Sequence, residues 1–300
     1  MKLNIYLETK KSLIDNALEI FFSERKSKKE GPFALLYEAM HYSLFPGGKR
    51  LRPILTCAAA EAVGGKTEDV LQVACAIEMI HTYSLIHDDL PSMDDDDYRR
   101  GKPTNHVRYG EATAILAGDA LVTEAFGLLS QARKNSKGEP HLFLEIIEDI
   151  ALACGASGMI GGQLLDIQFQ ERAKENEEED VNYPELEFLY IRKTGNLILV
   201  AITSGAKICG ATPQQVKALS RYGENLGLAF QVVDDILDIH DNYKGPDGRK
   251  RSSFPSILSL DEAKQRSREL ASRAIEALQG FDQKADPLRE IAHYVVERRK

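Results

Sequence analysis

The sequence is poor in the features that mark several classes of protein. Its four cysteines are widely scattered in 300 residues without a Cys-x-x-Cys pair, which argues against a zinc site or a disulfide framework. No uninterrupted apolar run approaches the ~18 residues of a transmembrane helix, and the first residues lack the apolar core of a signal peptide. A net charge of −8 disfavours general binding to nucleic acid or to an anionic membrane. We therefore expect a cytoplasmic protein with no nucleic-acid partner and no stable membrane insertion.

Strand signals are equally scarce, because convincing period-two alternation is missing and helical periodicity dominates. The sequence contains no internal repeat and no break in composition that would mark a domain boundary. It predicts one all-α domain over residues 1–300, a single large helical bundle in which the apolar helices near 70–90 and 222–240 are central. The predicted helices span residues 3–26, 32–45, 50–63, 68–90, 111–133, 141–155, 157–172, 185–207, 213–240, 260–279 and 287–298.

Two aspartate-rich segments stand out because each interrupts a strongly apolar stretch. They read Asp88-Asp89-Leu90-Pro91-Ser92-Met93-Asp94 and Asp234-Asp235-Ile236-Leu237-Asp238. Burying unpaired carboxylates is costly, so two such interruptions of the same kind suggest a shared divalent cation. Carboxylate oxygens without a His or Cys partner favour Mg²⁺ over zinc, and Mg²⁺ commonly bridges one or two carboxylates to substrate phosphates. The alternative is that these aspartates cap helices or face solvent.

Cations that could meet a phosphate occur at several points along the chain. Lys49 and Arg52 are three residues apart before an apolar helix, and Arg99 and Arg100 directly follow the first aspartate segment. Arginine offers a planar fork that suits phosphate oxygens. His81 is two helical turns before Asp88, although a lone histidine in an apolar helix is also common in a core. Together with Lys193, these residues predict a diphosphate pocket with a metal-rich half and a metal-free cationic half.

The chain resembles the trans-polyprenyl diphosphate synthases from end to end, because it carries these motifs in the same order along the sequence. Among them it most closely resembles the bacterial farnesyl diphosphate synthases. The resemblance rests on the two aspartate segments and on further motifs. These are Gly47-Gly48-Lys49-Arg50-Leu51-Arg52-Pro53, Asp96-Asp97-Tyr98-Arg99-Arg100, Ala114-Ile115-Leu116-Ala117-Gly118-Asp119, Gly161-Gly162-Gln163-Leu164-Leu165-Asp166, Lys193-Thr194-Gly195 and Phe230-Gln231.

The resemblance implies a homodimeric, all-α prenyltransferase that condenses isopentenyl diphosphate with dimethylallyl or geranyl diphosphate, giving mainly (2E,6E)-farnesyl diphosphate. It implies Mg²⁺, three ions with the allylic diphosphate bound, with Mn²⁺ able to substitute. The implied metal ligands are Asp88, Asp89, Asp94, Asp234, Asp235 and Asp238. Arg99 and Lys193 would contact the allylic diphosphate, and Thr194 and Gln231 would line the reacting centre. Lys49, Arg52, His81 and Arg100 would hold isopentenyl diphosphate without metal.

Product length is implied by the two residues four and five positions before Asp88. In the related enzymes these residues, here Ser84 and Tyr83, limit how far the growing tail extends. Tyr83 lies roughly 7.5 Å below Asp88 on a helix that rises ~1.5 Å per residue. An aromatic at Tyr83, a small Ser84 and the Pro-Ser insertion between the aspartates are typical of C15 synthases. The alternative is that Tyr83 is an ordinary core residue.

The segment after Asp238 departs from the family pattern. Related enzymes carry a longer loop with two lysines for the allylic diphosphate, whereas Ile239 to Pro255 is several residues shorter here. Lys244 and Arg251 are the candidates to replace those lysines.

Four other interpretations remain open at this stage. A geranylgeranyl or dual-length synthase shares the chemistry and differs in product length. A terpene cyclase shares the first acidic motif but normally has a different second one. A non-catalytic partner subunit would usually have lost one acidic motif. A simple cation-binding scaffold would not need the paired arginines and lysine.

Overall fold

The computed structural model describes residues 2–23, 31–45, 48–135, 140–175, 181–240 and 253–298. Lys244 and Arg251, the predicted loop cations, lie outside these ranges. The described chain is built almost entirely of helices, in agreement with the predicted all-α class. The α-helices in these ranges are α1 Leu3–Ser23, α2 Ala34–Leu44, α3 Leu51–Ala62, α4 Thr67–Asp88, α5 Asn105–Tyr109, α6 Glu111–Asn135, α7 Pro140–Cys154, α8 Met159–Glu175, α9 Tyr183–Tyr190, α10 Asn196–Ile208, α11 Pro213–His240, α12 Phe254–Ile257, α13 Leu260–Ala277 and α14 Asp286–Glu297.

The helix limits follow from local chemistry. Helix α9 begins with a capping box in which Asn182 and Glu185 each accept the other's backbone N–H, and Ser259 and Glu262 start α13 in the same way. Helix α4 ends at Asp88, three residues before Pro91, which has no N–H to donate to a continuing helix. These boundaries agree with the predicted ones to within a few residues.

Several features were not expected from the sequence, among them the short helices α5 and α12. Tyr98–Arg99 and Lys102–Pro103 form a two-stranded antiparallel hairpin, β1 and β2, whose strands are too short to show an alternating pattern. The single helix predicted over 185–207 is instead α9 and α10 joined by a π-helical turn, Ile191–Gly195. A π-helical turn inserts one extra residue into a helix and is frequent at functional sites.

The two helices predicted to be central are buried as expected. Helix α4 is buried along most of its length and packs against α3, α6 and α10. Helix α11 packs against α10 and α13 and buries Tyr222, Leu226 and Val232 completely. These neighbours place the carboxyl ends of α4 and α11, which carry the two aspartate segments, within the helical bundle. The prediction of a single domain stays a prediction.

Helix α6 has one window, Glu111–Ala132, that is long and apolar enough to cross a membrane by length and composition. It is the one such window in the part of the chain that the structure describes, and 39% of it is buried. A core helix of a soluble protein satisfies the same criterion, so this window does not by itself indicate a membrane span.

Candidate active site

The first aspartate segment folds back on itself at the end of α4. The backbone N–H of Asp94 donates to the carbonyl oxygen of Asp88 at 2.8 Å, so the turn at Pro91 returns Asp94 to the helix end as predicted. Burial raises the pKa of Asp88 to about 7, and the nearby charge of Asp94 adds to the effect, while Lys193 opposes it. Two carboxylates that lie this close together repel each other, so a nearby positive charge stabilises their ionised forms.

Asp89 has a partner within the protein. Its Oδ1 accepts a hydrogen bond from Nε of Arg99 at 2.7 Å and lies 2.6 Å from Nη2 of the same guanidinium in an ion pair. Burial would lower the pKa of Arg99, but Asp89 outweighs it and the pKa is raised. The bond anchors the β1–β2 hairpin to α4 and fixes the Arg99 guanidinium beside the acidic turn.

Lys193 comes from the π-helical turn and pairs with Asp166 of α8. Burial would lower the pKa of Lys193, but Asp166, Asp88 and Asp94 outweigh it and raise the pKa. Lys193 therefore stays charged and lies within electrostatic reach of the first aspartate segment. The sequence analysis predicted no role for Asp166, although the motif that contains it is one of those on which the family resemblance rests.

The three aspartates of the second segment have different surroundings. Asp234 accepts a hydrogen bond from Nη2 of Arg298 at 2.6 Å, a contact that sequence reasoning missed. Asp235 is buried and accepts from the Tyr190 hydroxyl at 2.8 Å, from the backbone N–H of Phe254 at 2.9 Å and from Nε2 of Gln231 at 3.2 Å.

The surroundings of Asp235 resemble those of a structural anchor more than those of an open ligand. Burial raises the pKa of Asp235 to about 7, although the three hydrogen bonds oppose the shift. Asp238 is exposed on the following turn. The assignment of Asp234, Asp235 and Asp238 to metal binding stays a prediction.

Thr194 and Gln231 are in contact with each other, and their place at the reacting centre stays a prediction. The Thr194 hydroxyl donates to Oε1 of Gln231 at 3.0 Å, and Gln231 in turn donates to Asp235. This chain of hydrogen bonds fixes the Gln231 amide and commits the hydroxyl proton of Thr194.

Two of the four residues predicted for the metal-free half meet, Arg52 and His81, whereas Lys49 borders a separate cavity with Tyr294 and Arg298. Nη1 of Arg52 lies 3.3 Å from Nε2 of His81. A Cβ atom at Gly48 would lie 2.7 Å from Nη2 of Arg100, so only glycine lets this arginine lie against the turn that carries Lys49. Burial lowers the pKa of His81 well below its ordinary value, and the charges of Arg52 and Arg100 lower it further. His81 is therefore neutral near pH 7.

A cavity of about 360 Å³ joins the two halves. Its wall includes predicted residues from each group. Arg52 and His81 belong to the cationic half, and Tyr83 and Ser84 to the floor. Asp88, Lys193 and Thr194 belong to the metal-rich half. The remaining wall is largely apolar and consists of Leu85, His87, Met93, Met159, Ile160, Gln163, Leu164 and Ile167. Of the wall residues from α8, Gln163 and Leu164 belong to a motif of the family resemblance, and the others were not singled out in the sequence.

The site has the donor chemistry that Mg²⁺ requires. Asp88 and Asp94 offer hard carboxylate oxygens, and the raised pKa of Asp88 reflects a buried charge that a cation would stabilise. Within the described ranges, no three His, Cys, Asp or Glu side chains are grouped closely enough to hold an ion by themselves. Metal binding at this site stays a prediction.

Comparison with known proteins identifies the relatives of this chain. Residues 33–293 match the polyprenyl synthetase family. The chain is 41% identical to a geranylgeranyl diphosphate synthase of Cyanophora paradoxa, over 98% of this chain and 95% of that one. It is 44% identical to a farnesyl diphosphate synthase of Geobacillus stearothermophilus, over 87% and 86%.

A solved structure gives the same answer. The crystal structure of an FPP/GFPP synthase from Zymomonas mobilis superimposes with a TM-score of 0.85 at 38% identity, covering 97% of this chain and 99% of that one. The shared fold, the identity along the chain and the converging motifs lead to one assignment. The chain belongs to the polyprenyl synthetase family and is a prenyltransferase with the all-α isoprenoid synthase fold.

Proposed function

We propose that this prenyltransferase condenses isopentenyl diphosphate with dimethylallyl and geranyl diphosphate to give mainly (2E,6E)-farnesyl diphosphate. The observation that carries the proposal is the single cavity that joins the cationic residues, the first aspartate segment and the apolar floor. One substrate can enter each polar half, and the growing hydrocarbon tail can extend along the apolar wall.

The cationic half binds isopentenyl diphosphate without metal. Arg52 is suited to this task because its Nε is buried and has no hydrogen-bond partner among the described residues, which leaves a donor for a phosphate oxygen. His81, neutral and beside Arg52, adds a hydrogen bond without adding charge. Lys49 and Arg100 complete the set from the neighbouring turns.

The metal-rich half binds the allylic diphosphate. Asp88, Asp94 and Asp234, with Asp89, Asp235 and Asp238 as further candidates, would hold Mg²⁺. When bound, the metal neutralises the charge that develops on the leaving diphosphate. Arg99 and Lys193 supply fixed positive charge to the same group, and their pairing with Asp89 and Asp166 orients them before substrate arrives.

The reacting centre lies beside Thr194. Ionisation of the allylic C–O bond gives a cation, which the isopentenyl double bond attacks, and a proton is then lost to the departing diphosphate. The hydroxyl proton of Thr194 is committed to Gln231, so the oxygen lone pairs of Thr194 can face the cation. The apolar walls exclude water, which would otherwise trap the cation as an alcohol.

The floor supports a C15 product. Tyr83 is buried, lies five residues before Asp88 and borders the cavity, while Ser84 leaves room above it. A geranylgeranyl or dual-length synthase is the second candidate, and the 41% identity to a geranylgeranyl diphosphate synthase favours it. A non-catalytic partner subunit is the alternative from a different class, which the presence of both aspartate segments disfavours.

We also propose a cytoplasmic, one-domain homodimer. Exposed apolar side chains on the adjacent helices α6 and α7 support self-association, because large exposed apolar patches commonly mark interfaces. They are Ile115, Leu116, Leu144 and Leu152.

The test is incubation of the purified protein with geranyl diphosphate and labelled isopentenyl diphosphate, with Mg²⁺ or EDTA, followed by chain-length analysis. We expect a C15 product that depends on Mg²⁺. Longer products would keep the prenyltransferase chemistry and overturn the C15 assignment. No condensation would favour the non-catalytic subunit.

A further inference from the structure

Arg50 stands between the two cations Lys49 and Arg52, yet its side chain points away from the cavity and into the protein. The side chain is 0% exposed. Its Nε donates to Oδ1 of Asp15 at 2.8 Å, its Nη1 to Oε1 of Glu78 at 2.7 Å and its Nη2 to the carbonyl of Leu44 at 2.6 Å.

The backbone of Arg50 is held in an unfavourable conformation. Its φ of 53° and ψ of 33° are left-handed, a region that residues with a Cβ atom avoid. The other described non-glycine residues with positive φ are Asp95 and Arg100, next to the acidic turn and in the cationic set. Strain of this kind persists where surrounding contacts enforce it, and it clusters at functional sites.

A buried ion pair also contributes little net stability to a fold. Desolvation of two charges can exceed their attraction, and well-packed apolar residues often do as well or better. Oε2 of Glu78 is buried and has no hydrogen-bond donor among the described residues, which adds to the cost. The Arg50–Glu78 pair therefore calls for an explanation other than stability.

The position of the Arg50–Glu78 pair beside the cationic residues suggests such an explanation. Glu78 lies on α4, three residues before His81, and Arg50 directly precedes α3, which carries Arg52. The ion pair thus joins the start of α3 to α4 one helical turn from the point where Arg52 meets His81. The left-handed turn at Arg50 also sets the direction in which Lys49 leaves the helix start. Burial lowers the pKa of Arg52 and Arg100 and the charge of Glu78 opposes both shifts, so Glu78 lies close to these two arginines as well as to Arg50.

We propose that Arg50 and Glu78 are positioning residues that hold Lys49, Arg52 and His81 in register for the diphosphate of isopentenyl diphosphate. The inference rests on the proposed function of the cationic half. A misplacement of about 1 Å far from the reacting atoms can cost up to ~100-fold in rate, so this register matters.

The main experiment compares the double variant R50M/E78Q with the wild type. This change removes one positive and one negative charge, so the net charge is unchanged and altered binding reports geometry. We expect the KM for isopentenyl diphosphate to rise about tenfold, while the KM for geranyl diphosphate changes less than about twofold. Equilibrium binding of isopentenyl diphosphate, measured by calorimetry, should weaken by the same factor and needs no turnover.

The matched control is K10M/E61Q. Lys10 and Glu61 form an ion pair between α1 and α3, away from the cavity, and its removal is also neutral in charge. We expect both KM values to remain those of the wild type, even if the melting temperature falls. R50K keeps the charge and should restore part of the binding.

The single variant E78Q covers the case in which the double variant does not fold. It removes a negative charge beside three arginines, so a purely electrostatic effect would tighten isopentenyl diphosphate binding, whereas lost positioning weakens it. Tighter or unchanged binding in E78Q, or in a folded R50M/E78Q, would overturn the inference. Equal increases in the KM for isopentenyl diphosphate and the KM for geranyl diphosphate would also overturn the inference. A wild type that binds isopentenyl diphosphate but does not condense it would count against the proposed function and leave this inference testable by calorimetry.

Discussion

Arg298, which follows helix α14, forms an ion pair with Asp234 of the second aspartate segment, with 2.6 Å between Nη2 and Oδ1. The arginine side chain is 6% exposed and also lies over the Phe230 ring, with 4.0 Å between Cζ and the ring centroid. This arginine balances the charge of a carboxylate that we propose for metal binding.

We therefore expect R298Q to be less stable than the wild type without ligand and nearly as stable with it. The Asp234 side chain is 36% exposed, so solvent screens the pair and its loss should cost about 1 kcal/mol, or about 2 °C in Tm. Mg²⁺ with inorganic diphosphate should remove most of this difference, because the metal would then balance Asp234. Thermal unfolding with and without these ligands measures both values.

The control for that experiment is R289Q. Arg289 lies in α14 itself, donates to the carbonyls of Leu278 and Phe281 and pairs with Asp286. Its removal should lower Tm equally with and without ligand. If R298Q behaved in the same way as R289Q, Arg298 would be a purely structural residue.

Replacement of Tyr83 by alanine should lengthen the product. Removing the ring deepens the cavity below Ser84, so the C15 tail no longer meets a floor and further condensation follows. Chain-length analysis should show C20 and longer products as a major fraction. Tyr37→Ala is a matched control, since both tyrosines are 6% exposed and Tyr37 is not among the residues that form the cavity wall. Unchanged C15 output from Y83A would remove Tyr83 from the length argument.

Replacement of Gly118 by alanine should destabilise the protein through His87. An added Cβ would lie 2.2 Å from Nε2 of His87, which lies 3.1 Å from the carbonyl of Ile115 and contacts the Tyr83 ring edge to face. We expect the free energy of unfolding to fall by about 1–3 kcal/mol, as for other overpacked sites. Urea unfolding measures it.

Gly127 provides the control for this change, because it is on the same helix and nothing lies within 4 Å of an added Cβ. Gly127→Ala should stabilise the helix by up to about 1 kcal/mol. The double variant H87A/G118A should regain part of the loss, since it removes the clash. If G118A were as stable as G127A, the close approach of α4 and α6 would not be a constraint.

Stability should depend on the ionisation of Glu61 at acid pH. Burial would raise the pKa of Glu61, but hydrogen bonds from Lys10, Tyr6 and Thr67 outweigh it, and the pKa is lowered below 4.5. The stability that ionised Glu61 contributes is therefore fully present above the ordinary pKa of a glutamate. It is lost as the pH falls through the lowered pKa of Glu61 in the folded protein. Urea unfolding between pH 6 and pH 3 should show a smaller loss in E61Q than in the wild type. E8Q, an exposed change on α1, should leave the wild-type profile unaltered.

Much of the site could be predicted from the sequence because its chemistry is local. The spacing of Asp88 and Asp94 around Pro91 is enough to predict that both carboxylates share one turn. Lys49 and Arg52 share the start of one helix in the same way. The partner of each charged residue could not be predicted in this way, since Arg99, Asp166 and Arg298 come from elements separate from those of Asp89, Lys193 and Asp234.

The sequence by itself determined the all-α class, the two aspartate segments and the cationic set, because helical periodicity and side-chain chemistry are properties of neighbouring residues. Only the tertiary structure decided that Asp235 is held by Tyr190 and Phe254 and that Arg50 turns inward to Glu78. These contacts join residues 19 to 45 positions apart. A sequence pattern shows which groups need partners, but the packing of helices determines which partners they meet.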